Sequence, residues 1–478
     1  MFPALGGVGN SNCRIQRRRI SLSLTCLLVF VFSISLIGII FQFITVHRIV
    51  INNDDESRTN NNAAASLMMQ VRGGGGGDDH LNNTPKKKDD DKPIIVIAYA
   101  ITITGCGEKG YSFKDATSLI TQGAAILKHS IHLAHNHHTT NNDNNKSKYE
   151  YQYQMYAIIH PTATSCSVAP MKKLGYKVLI RNTPFDKSDI STKFLRENID
   201  GASCCGAKEF LKLYAYTFVD HPIAVVLDLD SLVLKSMDVM FDVMMTMMEQ
   251  QQQQQQKLMM DRLPIHVNSN GGGQNGRIDA FYTKDYNMIN PGGEKYAGVQ
   301  GGFLILRPDE DVFAEYISLV LQGNYIEGKG WGGKYGYFFG GAQVQGICSY
   351  YFSKIHPEKG VELNRCRINQ MVDNPHFDNV GKCRDGREEC EDCRTTELND
   401  IYSSHFTLCG KPWHCNVNSD PDSLCSKLHS EWFRIRRSYE ESRGDDDVLK
   451  FVPKLEGSYR PEIFHGYCTK RGYLPLKI

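Results

Sequence analysis

The sequence predicts an α/β protein whose sheet is largely parallel. Short apolar runs typical of strands alternate along the chain with segments that have helical spacing. The run 223–229 (IAVVLDL) is dense enough in apolar residues to be a strand buried on both faces. It ends in two carboxylates, Asp228 and Asp230, and ligands of open α/β sheets collect at the carboxyl ends of strands.

The remaining elements follow from the same patterns in chain order. Strands are predicted at 94–103, 156–160, 177–180 and 223–229, and helices at 116–133, 208–219 and 311–321. In the last helix, apolar residues recur at helical spacing and are expected to face the core.

Composition sets wide bounds on function. The chain has 478 residues, 41% of them hydrophobic, which is enough for one large core or two ordinary ones. Its formal net charge of +1 gives no reason to expect nucleic acid as a partner.

The N-terminal part predicts a membrane anchor. Residues 20–46 are uncharged and outnumber the roughly 20 that a helix needs to cross a bilayer. A cleaved signal peptide is the alternative, but its apolar region is shorter. Arginines before the span and acids after it place residues 1–19 in the cytosol and the rest in the lumen. Residues 47–92 are predicted to form a disordered stem. The chain is then a single-pass type II membrane protein, and this combination of tail, span and stem favours the Golgi membrane as its location.

The domain at 93–478 is interrupted by two low-complexity segments and contains a cysteine-rich part. Residues 135–148 and 249–276 are predicted to be surface insertions, and the histidines of the first segment are interpreted as loop residues, with a metal site as the alternative. Thirteen of the fifteen cysteines lie beyond the predicted anchor, where an oxidising lumen favours disulfides. Cys383, Cys390 and Cys393 are either zinc ligands or disulfide partners, and the pairing cannot be read from sequence.

Asp228 and Asp230 are the strongest candidates for a metal site. Side chains two residues apart in an extended segment project to the same side, so that these carboxylates repel each other unless a cation lies between them. Magnesium and manganese prefer oxygen ligands. The alternative is that both acids face solvent or cap the following segment.

A second segment, SSHFTLCGKPWHC, offers two groups suited to the same site. The imidazole of His405 can complete a manganese shell, and the ammonium of Lys411 suits a phosphate. Taken alone, His405 is more typical of an ordinary structural histidine.

Three stretches resemble glycosyltransferase family 8, the glycogenin-like group that includes plant glucuronosyltransferases. They are KLYAYTFVDHPIAVVLDLDSLVLKSMD, YAGVQGGFLILRP and HFTLCGKPW. The resemblance runs discontinuously over residues 94–413. It implies a GT-A fold, which is a Rossmann-like α/β/α sandwich with a mixed, mostly parallel sheet. It also implies a manganese cofactor, a UDP-sugar donor and transfer with retention at the anomeric carbon.

The resemblance also assigns roles to individual residues. Asp228, Asp230 and His405 would be the metal ligands. Lys411 would bind the diphosphate, and Lys212 would contact the donor and take part in catalysis. The remaining donor-binding positions are Gln300, Gly301 and Gly302 near the sugar, and Thr104 and Tyr111 near the nucleobase.

One departure concerns the reacting face of the sugar. Where many family members have Asp-Gln-Gly, this chain has Val344, Gln345 and Gly346, so Gln345 or Gln343 is expected to act there, with Gln345 as the catalytic candidate. Trp331, among glycines, either stacks on an acceptor sugar or belongs to a turn.

The predicted function is transfer of a hexose or hexuronic acid from a UDP-sugar to a glycan, protein or lipid acceptor, with manganese as cofactor. Two alternatives stay open: a non-catalytic module that binds glycans or UDP, and a phosphohydrolase that uses a divalent metal.

Overall fold

A computed structural model describes residues 92–106, 113–140, 147–203, 205–261, 277–289, 297–336, 338–377, 381–384, 386–416, 420–443, 459–470 and 472–476; side chains at 113–118, 137–140 and 251–261 are not described. These residues belong to one compact unit, Asp89–Ile478. The predicted cytosolic tail, anchor and nearly all of the stem lie outside the described residues. Among the helices that the structure does describe, none combines the length and apolarity needed to span a bilayer.

The centre of the unit is a mixed sheet of seven strands. In chain order the strands are β1 (Ile94–Ile103), β2 (Glu150–Ile159), β3 (Lys177–Ile180), β4 (Ala224–Leu227), β6 (Ala280–Asp285), β7 (Gly298–Leu306) and β11 (Gly360–Glu362). Their spatial order is β11-β6-β7-β4-β1-β2-β3. Only β7 pairs antiparallel to its neighbours in this sheet, so the carboxyl ends of β1 to β4 lie on one edge. The predicted α/β class with a mostly parallel sheet is confirmed.

Helices lie on both faces of this sheet, and the last two helices pack outside it, on the first helix and on each other. They are α1 (Phe113–Thr140), α2 (Thr164–Lys173), α3 (Lys193–Asn198), α4 (Asp238–Asp261), α5 (Glu310–Gln322), α6 (Val344–Tyr350), α7 (Leu424–Ser442) and α8 (Pro461–Phe464). A 3₁₀ helix at Gly206–Thr217 precedes β4. Helix α5 begins where the Asp309 carboxylate accepts hydrogen bonds from Asp311 N and Val312 N, and it ends at Gly323 in the left-handed conformation.

The strand β1 shows why the core has two halves. Its alternate residues Ile97, Tyr99 and Ile101 pack in one apolar cluster with α1 and α4. Ala98 and Ala100 point the other way, into a cluster with α5, α6 and the 3₁₀ helix. Because successive side chains of a strand face opposite sides, a strand apolar at every position needs cover on both. The result is a layered α/β/α arrangement.

The short strands lie outside the central sheet. The pair β5 (Ser231–Val233) and β12 (Ser403–His405) is antiparallel. A small three-stranded sheet is formed by β8 (Tyr325–Ile326), β9 (Gly330–Trp331) and β10 (Tyr335–Gly336). Near the C-terminus, β13 (Cys468–Thr469) pairs with β14 (Gly472–Tyr473).

Several predicted boundaries need correction. The strand predicted at 156–160 begins earlier, at Glu150, and the helix predicted at 208–219 is a 3₁₀ helix. Both predicted insertions begin inside helices: α1 continues to Thr140, and α4 includes the glutamine run and continues to Asp261. Glutamine and methionine have good helix propensity, so a low-complexity tract of these residues extends an existing helix at little cost.

Five disulfides lie within the described residues: Cys106–Cys166, Cys366–Cys393, Cys383–Cys390, Cys409–Cys425 and Cys415–Cys468. The disulfide interpretation of the cysteine-rich part is thereby confirmed. The Sγ of Cys390 lies 3.5 Å from Nε2 of His376, but the bond to Cys383 leaves it no thiolate for a metal.

Candidate metal centre

The two carboxylates lie where the central strand β4 ends. Its pairing with β7 is continued by a hydrogen bond of 3.1 Å from Asp228 N to Gly302 O. A turn closed by Ser231 N and Asp228 O, 3.0 Å apart, then leads into β5. Asp230 is buried in this turn, whereas the Asp228 side chain is 30% exposed. The site therefore opens to solvent on the side of Asp228.

His405 reaches the carboxylates through backbone pairing. In the register of β5 and β12, His405 lies opposite Ser231, the residue that follows Asp230. Phe406 N donates to Asp230 O at 2.9 Å, and His405 N donates to Gln370 O at 2.9 Å. Two main-chain bonds thus fix the imidazole, which is itself buried.

The three side chains converge on one point. His405 Nε2 is 3.4 Å from Asp230 Oδ1 and 3.7 Å from Asp228 Oδ2. One ligand atom from each residue lies within 4.8 Å of the others. Two carboxylate oxygens and an imidazole nitrogen form a donor set that suits manganese or magnesium.

Each carboxylate turns its second oxygen to a lysine. Asp228 Oδ1 is 2.8 Å from Lys212 Nζ, and Asp230 Oδ2 contacts Lys411 Nζ. Lys212 is buried in the 3₁₀ helix and also pairs with Glu209. The lysines thus neutralise the outer oxygens and leave the inner oxygens facing His405.

The charges in the site favour the protonation states that a metal requires. Burial raises the pKa of the Asp228 carboxyl, but the charge and the hydrogen bond of Lys212 oppose this effect, and the pKa lies below its usual value. Burial lowers the pKa of His405 against the opposing effect of Asp228, which keeps the imidazole neutral at neutral pH. Burial also lowers the pKa of Lys212, but its two acidic partners raise it more, so Lys212 stays charged.

Gly302 provides the space that this arrangement needs. A Cβ at this position would lie 2.4 Å from His405 Cε1 and 2.7 Å from Asp228 Oδ2. Any larger residue would push two of the three candidate ligands away from their positions. The absence of a side chain, together with the donor set, shows that these residues fit a divalent ion.

The other predicted donor-site residues of β7 lie next to this centre. The Gln300 side chain accepts a hydrogen bond of 2.5 Å from Gly302 N, within a buried stretch of β7. A Cβ at Gly301 would lie 3.0 Å from Gln345 Cγ, so Gln345 flanks the backbone next to the triad. Gln345 Nε2 donates to Phe339 O at 3.1 Å.

Gln343 and Val344, which lie beside Gln345 in the chain, contact the interior of the fold. Gln343 is buried and donates through Nε2 to Ala202 O and Gly206 O, at 3.0 and 2.7 Å, so its amide is used within the fold. Val344 is fully buried in the apolar cluster beside α5. A carboxylate at its position would therefore be buried among apolar side chains.

Trp331 does not bind an acceptor, contrary to one interpretation of the sequence. Its indole is fully buried, and Nε1 donates to Gly341 O at 2.9 Å. It anchors the glycine-rich segment instead of stacking on a sugar.

Thr104 lies just after β1, on the same edge of the sheet. Its carbonyl accepts from Thr162 Oγ1 at 3.3 Å, and His160 Nδ1 lies 2.7 Å from the same hydroxyl. A polar cavity of about 410 Å³, lined in part by His160 and Lys187, lies at the ends of β2 and β3. Tyr111, the other predicted nucleobase residue, lies outside the described residues.

Glu209 is the member of the charged cluster that sequence reasoning missed. It lies one turn before Lys212 and shares that lysine with Asp228. In the sequence KEFLK, Glu209 lies three positions before Lys212. Such acid–base pairs are too common on helix surfaces to indicate a site.

Comparisons with known proteins give a limited result. No family model matches the chain, and no curated protein matches it. Matching solved structures include an active-site mutant of LgtC (12% identity, TM-score 0.38, 72% of this chain and 96% of that one). Another is mouse xyloside xylosyltransferase 1, with 10% identity and a TM-score of 0.35 over 66% of this chain and 97% of that one. A third is the glycosyltransferase GlyE of Streptococcus pneumoniae TIGR4, with 10% identity and a TM-score of 0.33 over 80% of this chain and 66% of that one. At these identities and TM-scores the likeness says nothing about the activity of this chain.

Proposed function

We propose that this chain is a glycosyltransferase of the GT-A type, an enzyme that transfers a sugar from a nucleotide-sugar donor. Within that class, we propose a retaining enzyme of the family 8 type that uses manganese and a UDP-sugar. The sugar transferred is a hexose or a hexuronic acid, and the acceptor is a glycan, a protein or a lipid. The proposal also includes the membrane anchor at 20–46 and the Golgi location, which rest on the sequence.

One observation carries the proposal. Asp228 and Asp230 each give one oxygen to a lysine and turn the other toward His405, at the carboxyl end of the central strand. Structural ion pairs alone do not require a buried neutral imidazole between two acids, because such a group adds no charge to balance theirs. A site for a divalent ion gives this arrangement a reason.

The chain's own residues then have distinct tasks. Asp228, Asp230 and His405 would hold the ion, whose charge stabilises a leaving diphosphate when it is bound. Lys411 lies at the rim, 27% exposed, and can turn from Asp230 to a phosphate oxygen. Lys212 is 3% exposed and stays with Asp228, which it keeps ionised. Its contact with the donor would therefore be made through this carboxylate.

Gln345 is the residue best suited to the reacting face of the sugar. It flanks Gly301, where the missing side chain leaves room for the side chain of Gln345 next to the triad. Its amide can orient a sugar hydroxyl by donating or accepting a hydrogen bond, but an amide is a poor nucleophile. The chemistry supported here is therefore positioning and charge stabilisation, with the donor and acceptor held together.

The phosphohydrolase is the second candidate, because a pair of carboxylates with a divalent ion also suits phosphate ester hydrolysis. It predicts release of phosphate from nucleotides regardless of any sugar. The non-catalytic module predicts manganese-dependent UDP binding without turnover.

A donor screen tests all three possibilities. The purified protein is mixed with manganese and, in turn, UDP-glucose, UDP-galactose, UDP-xylose and UDP-glucuronic acid, and UDP release is measured with and without chelator. We expect release with one preferred donor that chelation abolishes and manganese restores. Hydrolysis of UDP itself at the same rate would favour the phosphohydrolase, and binding of UDP without release would favour the module.

A further inference from the structure

Gln370 is a fully buried polar residue next to the strand that carries His405. It forms a parallel bridge with Ser404, so that β12 lies between β5 on one side and Gln370 on the other. Gln370 N donates to Ser403 O at 2.8 Å, and the Gln370 carbonyl accepts from His405 N at 2.9 Å. The main chain of this one glutamine therefore holds β12 on both sides of Ser404.

The side chain of Gln370 has a partner for each of its polar groups. Nε2 donates to the carbonyl of Cys366 at 2.6 Å and to the carbonyl of Cys393 at 3.0 Å, and Oε1 accepts from Val372 N at 2.7 Å. A primary amide has two N–H donors, and both are used here. Because Cys366 and Cys393 form a disulfide, the two acceptor carbonyls are held together covalently.

The residue before Gln370 connects this segment to the central sheet. Asn369 is buried, its Nδ2 donates to Thr283 Oγ1 at 3.0 Å, and its main-chain N donates to Ser403 Oγ at 2.9 Å. Thr283 belongs to β6, in the same sheet as the strand β4 that leads to the two carboxylates. The strand β12 is therefore held relative to the sheet that places those acids.

The backbone on both sides of Gln370 has a conformation that most side chains disfavour. Asn369 and Val372 lie in the left-handed region, with φ of 56° and 63°. Asparagine tolerates this region, whereas a β-branched valine is an outlier there. Such an outlier costs on the order of 1–3 kcal/mol and persists where the surroundings over-determine it, most often at functional sites. The bond from Val372 N to Gln370 Oε1 is one of the contacts that hold it.

We propose that Gln370 is a positioning residue of the candidate metal centre. Its amide, bound to the carbonyls of Cys366 and Cys393, fixes its main chain against β12, and this contact determines where the His405 imidazole lies relative to the two carboxylates. Gln370 itself touches no reacting group. The inference rests on the proposed function, because it takes His405 as a metal ligand.

The position of the His405 ring has little tolerance. A Cβ at Gly302 would already lie 2.4 Å from its Cε1, and its Nε2 lies 3.4 Å and 3.7 Å from oxygens of Asp230 and Asp228. A shift of β12 would move the ring into Gly302 or away from the acids. Groups that orient metal ligands typically contribute about 10- to 100-fold to metal affinity.

The test compares full-length wild type with Gln370→Asn, which keeps the amide but is too short to reach all three side-chain partners at once. Manganese binding is measured directly, with and without UDP, from the electron paramagnetic resonance signal of the free ion. We expect the dissociation constant for manganese to rise about 10-fold. Thermal unfolding verifies that the variant is folded.

A second measurement needs no metal. The metal-free proteins are treated with diethyl pyrocarbonate, and modification of each histidine is followed by mass spectrometry. His405 is buried in wild type, so its modification should become about fivefold faster in Gln370→Asn as β12 opens more often. His129, a buried histidine bound to Ser438, serves as the internal reference and should not change.

Tyr151→Phe is the control variant, since it removes a hydrogen bond of 2.8 Å to Asp242 at the other end of the sheet and should change neither measurement. If Gln370→Asn does not fold, Ser403→Ala takes its place. This variant removes only the acceptor of Asn369 N, and we expect a change of about threefold.

The outcomes separate the two proposals. If wild type binds manganese, unchanged affinity in the folded variant overturns the role of Gln370. If wild type binds no manganese, the proposed function fails and histidine modification decides alone. Faster modification of His405 would then still support positioning by Gln370, and an unchanged rate would overturn it.

Discussion

The two halves of the candidate metal centre are built in different ways. Asp228 and Asp230 follow the end of a buried strand, and their positions are set by the local turn between that strand and β5. His405 ends β12, and Lys411 lies in the loop after it, 181 residues beyond Asp230. That loop depends on one short strand pair and on disulfides to remote elements. The carboxylate half therefore depends on local geometry, whereas the imidazole half depends on contacts with distant parts of the chain.

The largest expected effect comes from the strand half. Asp230→Ala removes a candidate metal ligand, so we expect manganese-dependent UDP release to fall by at least about 100-fold. Circular dichroism should show an intact fold. The control is Asp311→Asn, which removes an exposed acid in the first turn of α5. Near-normal turnover by Asp230→Ala would refute the metal assignment.

Gly302→Ala tests the contact between the two halves. The added methyl group would meet both His405 and Asp228, so we expect manganese affinity and turnover to fall by about 10- to 100-fold. Gly201→Ala is the control, because its Cβ would have no neighbour within 4 Å. The measurement is a manganese titration of turnover together with thermal unfolding. Unchanged manganese affinity in a folded variant would mean that the triad tolerates displacement or does not bind the metal.

Removing the Cys409–Cys425 disulfide tests the loop half alone. The double variant Cys409→Ser, Cys425→Ser opens a link with a sequence separation of 16, for which loop entropy predicts a loss of about 3 kcal/mol of unfolding free energy. We also expect a several-fold weaker manganese affinity, since His405 and Lys411 become less well positioned. Urea unfolding and the manganese titration measure the two effects. A loss of stability with unchanged affinity would show that pairing of β12 with β5 suffices to position the loop.

The smallest effect on activity is expected at Asp285, a buried carboxyl near the centre. Burial, and after it the charge of Asp373, raises the pKa of Asp285 to about 6. A carboxyl whose pKa is higher in the folded than in the unfolded state adds to the unfolding free energy. This contribution is complete at pH values below the unfolded pKa and is lost as the pH rises through about 6. Asp285→Asn should therefore raise the unfolding free energy at pH 7.5 by about 2 to 3 kcal/mol. The gain should disappear near pH 4, and a gain independent of pH would contradict this account.

The sequence predicted the strand-based features well. The bounds of β1 and β3 agree with their apolar runs, and the alternation of strands and helices indicated the layered sheet. The pair Asp228 and Asp230 could be identified from its place after a buried apolar run, but a turn joins the two acids where extended backbone was expected. The low complexity of the glutamine run did not indicate that α4 continues through it, although glutamine has good helix propensity.

Residues that act across loops could not be found in this way. Glu209 belongs to the charged cluster only because the 3₁₀ helix turns Lys212 toward Asp228. Trp331 is buried and Phe339 is exposed, and their aromatic character alone does not predict this difference in burial. Burial depends on which neighbours the rest of the chain supplies, and sequence spacing contains no such information.

By itself, the sequence determined the class of fold, the place of two carboxylates just after a buried strand and the presence of an imidazole and an ammonium group in a later segment. These features are local, because backbone periodicity and side-chain chemistry set them within a few residues. The tertiary structure decided that His405 faces both acids, that each acid has its own lysine and that Gly302 leaves room for the triad. Such contacts join residues far apart in the chain, and only the packing of the whole domain brings them together.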